Sequence, residues 1–147
     1  MHTLRESLWT YFSMKHLYLL LFAVLLSFPV LAQNVETEVE KAILAGNADK
    51  LLPYFGSTVD LRILDVENVY GNAQAQVLLN HFFTTNPPTN FTIVHKKTRT
   101  DSSFFIGTYT SRTGTYRISV ILKTENDKQR ISQIHVQNSE ALEGGRN

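Results

Sequence analysis

Gly71-Asn72-Ala73-Gln74-Ala75-Gln76-Val77-Leu78-Leu79-Asn80-His81-Phe82-Phe83-Thr84-Thr85-Asn86-Pro87-Pro88 is the stretch where the chain changes period. Up to Phe83 the apolar residues return every three or four positions. Ala75, Leu78, Leu79 and Phe82 fall on one stripe, with Phe83 at its edge. That spacing predicts a helix with one buried face. Asn86-Pro87-Pro88 ends it, because proline lacks an amide donor and keeps the preceding residue out of helical geometry. Beyond Pro88 apolar and polar residues alternate, the period of a half-buried strand. Four strands are predicted: Asn90 to Arg99, Ser103 to Ser111, Thr115 to Thr124 and Arg130 to Asn138. The turns between them, Asp101-Ser102, Thr113-Gly114 and Asn126-Asp127, are short and polar. Such turns make hairpins, so the four strands form an antiparallel meander.

Upstream of the long helix the pattern is mixed. Asn34 is placed to cap a helix, and Glu36, Glu38 and Glu40 lie near its positive end. Val35, Val39, Ala42 and Ile43 recur at helical spacing, and Gly46 ends the segment. Asn47 or Asp49 opens a second, short helical piece that Pro53 cuts off. Tyr54 and Phe55 read as core. Val59, Leu61 and Ile63 alternate with Thr58, Asp60 and Arg62, which predicts a strand with one buried face. The element order is therefore α-α-β-α-β-β-β-β. Helices segregated from a meander give an α+β domain, with helices packed on one face of a curved antiparallel sheet.

The first 32 residues belong to a different physical class. Lys15 and His16 precede an apolar run from Leu17, and Val30-Leu31-Ala32 offers small or tolerated residues for cleavage before Gln33. That is the pattern of a secretory signal peptide, with Met14 the expected true start. The run is about 15 residues and contains Pro29, short of the roughly 20 needed to cross a bilayer. Residues 33–140 are then a single exported domain and 141–147 a flexible tail, with the mature chain in the periplasm or outside the cell. No stable membrane insertion is expected after cleavage. There are no cysteines, so neither lipid attachment nor disulfides are available. Without Arg5, Lys15 and Glu6 the chain carries twelve basic and twelve acidic residues. No positive field is present to hold nucleic acid.

Candidate chemistry is sparse. His81, His95 and His135 are not at metal-ligand spacing with one another or with an acid in sequence, so no metal and no cofactor is expected. His95 shares a strand face with Phe91, Ile93 and Lys97 by simple alternation, which would turn it toward a cavity. Tyr54, Phe83, His95 and Tyr116 are accordingly the candidate pocket residues for a small apolar molecule. A general base paired with an oxyanion donor could be assembled from Asp60 and Tyr54, Tyr109 or Tyr116, but Asp60 alternates onto the polar face. No Gly-x-Ser-x-Gly elbow and no phosphate-binding glycine loop is present. Phe104 and Phe105 point to opposite faces, so both faces of their strand carry apolar bulk. Phe105, Tyr109 and Ile121 are the candidate interface residues of a homodimer formed through the sheet.

The element order resembles the nuclear transport factor 2-like, or cystatin-like, cone. A narrower resemblance is carried by Ala45-Gly46-Asn47-Ala48, Pro53-Tyr54-Phe55, Tyr70, Ala73-Gln74-Ala75, Phe82-Phe83, Asn86-Pro87-Pro88 and Ile106-Gly107-Thr108. With the signal peptide, these resemble a family of small exported Bacteroidetes proteins known as a domain of unknown function numbered in the 4780s. That resemblance implies the same cone and supplies no catalytic residues. The functional expectation is an exported, non-enzymatic binding domain. Its alternatives are a small-molecule enzyme of isomerase or hydratase type using the cone pocket, and an envelope assembly partner acting through the sheet face.

Overall fold

The computed structural model describes Met14, His16–Leu19, Leu21 and residues 34–140. The described residues between 14 and 21 are helical and exposed, and no helix among the described residues is long and apolar enough to cross a membrane. The cleavage site expected after Ala32 and the tail expected over 141–147 lie outside the described residues.

From residue 34 the order is α1 (Val35–Leu44), two 3₁₀ turns (Ala48–Lys50 and Leu52–Tyr54), β1 (Phe55–Ile63), β2 (Val66–Gly71), α2 (Asn72–Thr85), β3 (Pro88–Thr98), β4 (Ser102–Ser111), β5 (Gly114–Glu125) and β6 (Lys128–Asn138). The strands form one curved sheet in the order β2-β1-β6-β5-β4-β3. β3 to β6 pair in chain order as an antiparallel meander, while β1 joins the last strand in parallel. The sequence pattern missed β2. Its residues Val66-Glu67-Asn68-Val69 do not alternate, and all four are exposed, so no burial imposes a period of two. Its turn, Leu64-Asp65, also lacks the usual Gly or Asn.

The local signals are physical. Asn34 Oδ1 accepts from the Glu36 amide at 3.1 Å, satisfying one of the free donors at the start of α1. Gly46 leaves that helix at φ +61°, and a Cβ there would stand 2.7 Å from Pro88 Cδ, so glycine is required twice over. Asn126 and Asp127 both take positive φ, the twist that suits a two-residue hairpin. The inner sheet face is a continuous apolar surface: Phe105, Tyr109, Ile118, Val120, Leu122, Ile134, Val136, Val59 and Leu61 are all buried. Against it lie Val39, Ala42 and Ile43 of α1 and Ala75, Leu79, Phe82 and Phe83 of α2. Burying such side chains contributes about 1.5–3 kcal/mol each, and this burial is the main force holding helices to sheet.

One irregularity redirects a candidate residue. In β3, Ile93 faces Gly107 but His95 faces Ile106, so Val94 is bulged out of the ladder. Alternation is reversed beyond it. Phe91 and Ile93 point inward, with the Phe91 ring filling the space above Gly107. His95 and Lys97 point outward, and Lys96 turns inward to pair with Glu36.

Candidate functional site

A cavity opens between α2 and the β1–β2 hairpin. Its volume is about 310 Å³. One wall is the flank of α2, where Leu78, His81, Phe82 and Thr85 recur at three- and four-residue spacing. The other is the inner face of the β1–β2 hairpin, with Leu61, Ile63, Leu64, Val66 and Tyr70, and Asn86 closes the inner end. Val66 keeps 63 % of its surface exposed and Leu64 41 %. Leu64 also takes φ +56°, a left-handed conformation that costs a bulky side chain about 1–3 kcal/mol. The turn thus holds an apolar side chain at the cavity mouth in a conformation that local preference opposes. Among the described residues no carboxylate lines the space; Tyr70, His81, Thr85 and Asn86 supply its polar edge.

Asn86 separates this cavity from the filled part of the core. Its Nδ2 donates to the Phe82 carbonyl at 3.1 Å. Its Oδ1 accepts from Thr113 Oγ1 at 2.5 Å and from the Tyr116 hydroxyl at 2.8 Å. Its carbonyl accepts from the Tyr109 hydroxyl at 2.6 Å. Burial, with Tyr116 beside it, raises the Tyr109 pKa well above its ordinary value, so the phenol stays a neutral donor. In the sequence Asn86 is marked only by the Pro-Pro stop that follows it; its role as the hub of this network has no local signature.

A second constellation occupies the outer sheet face. Asp60 of β1, Glu67 of β2 and His135 of β6 converge, with donor atoms within 4.8 Å of one another. His135 Nε2 is 3.5 Å from Asp60 Oδ2 and 3.8 Å from Glu67 Oε1. Arg62 Nε lies 3.3 Å from the other Glu67 oxygen, and Gln133 Nε2 lies 3.3 Å from His135 Nδ1. The sequence expectation of no metal-ligand set rests on spacing along the chain. The parallel β1–β6 pairing sets Arg62 beside His135 and Asp60 beside Gln133, across more than seventy residues.

None of the four candidate pocket residues lines the cavity. Phe83 and Tyr116 are buried in an aromatic cluster, where Phe83 stacks on Tyr109 at 6.0 Å and Phe82 meets Tyr116 edge-on at 5.2 Å. Tyr54 is half-buried at the edge of the core. His95 is exposed on the outer face, 6.1 Å from the Phe104 ring, because of the bulge at Val94. The interface candidates also separate. Phe105 and Tyr109 are fully buried beneath the helices. Ile121 faces Phe104 across the ladder and shares the outer face with it. Both faces of β4 are apolar as expected, but the outward residues are Phe104 and Ile106.

A family model described as a domain of unknown function (DUF4783) matches residues 36–137. A DUF4783 family protein from Bacteroides uniformis is 27 % identical and superposes with a TM-score of 0.70, covering 72 % of this chain and 98 % of that one. One from Bacteroides fragilis is 31 % identical at a TM-score of 0.66, covering 77 % of this chain and all of that one. The nuclear transport factor 2-like protein Rd1NTF2_05, 17 % identical at a TM-score of 0.58 over 69 % of this chain and 96 % of that one, shares the fold alone. No curated protein matches the chain. With more than two thirds of its length inside the matched segment, the chain belongs to the DUF4783 family.

Proposed function

We propose that this is an exported binding domain that holds a compact amphiphile, apolar along its body and polar at one end, between α2 and the β1–β2 hairpin. The observation that carries the reading is the cavity itself, with Leu64 held at its mouth in a left-handed conformation. Its volume is at the lower end of the range for small-molecule sites, about 300–1,000 Å³. Leu61, Ile63, Val66, Leu78 and Phe82 meet the apolar body, and Tyr70 and His81 stand where the polar end would lie. A binding role is favoured over an isomerase- or hydratase-like one because no Asp or Glu among the described residues lines the cavity, and Asp60 is on the opposite face of the sheet. Export is supported by the signal-peptide pattern ahead of Gln33.

The test has two parts. Native mass spectrometry of protein isolated from its producing cells should show one small apolar molecule per chain. Calorimetry with octanoate should show one site. Leu78→Trp, which fills the cavity, and Leu64→Lys, which charges its mouth, should each weaken octanoate by at least tenfold, equivalent to about 1.4 kcal/mol. His95→Ala should leave binding unchanged. A chain that emerges bare and takes up no octanoate, or one whose uptake ignores both cavity variants, overturns the reading.

A further inference from the structure

We infer that Asp60, Glu67 and His135 form a binding site for a first-row divalent cation of zinc type on the outer face of the sheet. The ligand types suit it: one imidazole nitrogen and two carboxylate oxygens, from three adjacent strands. The spacing suits it as well. In a tetrahedral site with bonds of about 2.0–2.1 Å, donor atoms stand roughly 3.3–3.4 Å apart. His135 Nε2 is already 3.5 Å from Asp60 Oδ2 and 3.8 Å from Glu67 Oε1. The donor atoms all lie within 4.8 Å of one another, so side-chain rotation that draws the two carboxylate oxygens together completes the geometry, and solvent takes the fourth position.

Three further features point the same way. His135 Nε2 is shielded from solvent yet accepts or donates no hydrogen bond, although its ring faces both carboxylates. A polar atom removed from water and left unmatched is costly, and a cation between the three groups removes that cost. Next, the far side of the ring is held by the Gln133 amide at 3.3 Å from Nδ1. A carboxamide can present either its oxygen or its nitrogen, so Gln133 can accept from Nδ1–H and fix the tautomer that leaves Nε2 free to bind. Finally, Arg62 Nε approaches Glu67 Oε2, while His135 Nε2 approaches Oε1. It balances one of the two carboxylate charges, and the remaining negative charge attracts a divalent ion. The site is separate from the cavity, on the opposite face of the same strands.

Cobalt titration of tag-free protein, followed by visible absorption, reads the site directly. One Co²⁺ per chain should bind with the intense d–d bands of a tetrahedral nitrogen–oxygen site, and Zn²⁺ should displace it. His135→Ala should abolish the bands, and Glu67→Gln, at an exposed position that leaves the fold intact, should weaken binding at least tenfold. Gln133→Ala should weaken it by about 10–100-fold, the usual effect of removing a group that orients a metal-bound histidine. Affinity should fall as pH is lowered and protons compete for the ligands. Leu78→Trp should change nothing, which keeps this result independent of the cavity reading. The inference is overturned if millimolar Co²⁺ and Zn²⁺ do not bind. It is equally overturned if binding survives in His135→Ala, which would place the ion at another histidine.

Discussion

The two ends of the sheet are built on opposite plans. At the β4–β5 end the inner face is closed: Tyr109, Tyr116, Phe82 and Phe83 interlock, and Asn86 satisfies the hydroxyls that this packing buries. At the β1–β2 end Leu64 and Val66 are exposed beside an unfilled space. The same helix serves both ends: Leu79 is aimed into the core, Leu78 and His81 line the cavity, and Phe82 meets both. A cone of this kind is neither hollow nor solid. One end carries stability, and the other leaves a cavity open.

The sharpest way to break that contrast is to truncate neighbours on α2. Leu79→Ala should cost about 3 kcal/mol, since Leu79 is buried among close-packed partners. Leu78→Ala should cost under about 1 kcal/mol, because its side chain already borders empty space. Urea denaturation measures both, and equal losses would mean the two ends are packed alike.

Tyr109→Phe should cost about 1–2 kcal/mol by leaving the Asn86 carbonyl without its donor. Its pH dependence sharpens the comparison. The folded-state pKa of Tyr109 is raised above the unfolded value near 10. Its contribution is therefore complete below pH 10 and declines as pH rises through the folded value, because the unfolded phenol ionises first. Alkaline denaturation of the variant should be correspondingly less steep.

Glu36 makes the inverse case. Burial would raise its carboxyl, but the Lys96 ammonium bonded to it, with Thr98 beside them, holds it below the ordinary 4.5. This stabilisation is present above pH 4.5 and is lost as pH falls through the lower folded value. Glu36→Gln should cost about 1 kcal/mol at neutral pH, a modest figure because Lys96 is 43 % exposed and screened by solvent. Acid titration of stability should flatten in the variant. The smallest effect is expected at the cavity mouth. Leu64→Gly should shift stability by less than about 0.5 kcal/mol, since relief of the left-handed strain offsets the lost apolar contact.

Local physics is legible in the chain; long-range pairing is not. The α2 stripe, the Asn34 cap, the Gly46 stop and the meander after Pro88 each depend on residues close in sequence, and the structure carries them all. The cavity and the outer-face cluster depend on what strict periodicity hides. An exposed edge strand such as β2 has no buried face to impose alternation. The extra residue at Val94 reverses parity, so His95 turns outward and Lys96 inward. The Asp60–Glu67–His135 group exists only because β1 lies parallel to β6, a pairing between elements at opposite ends of the domain. Phe105 and Tyr109 lie under the helices rather than at an interface, because two apolar faces on one strand do not announce which one the helices cover.

Methyl-resolved nuclear magnetic resonance during an octanoate titration tests the central claim most directly. Leu61, Ile63, Leu64, Val66 and Leu78 should shift together and saturate at one equivalent, while Ile118, Val120 and Leu122 in the closed part of the core stay still. Shifts confined to Ile106 and Ile121 on the outer face, or none at all, would contradict the account.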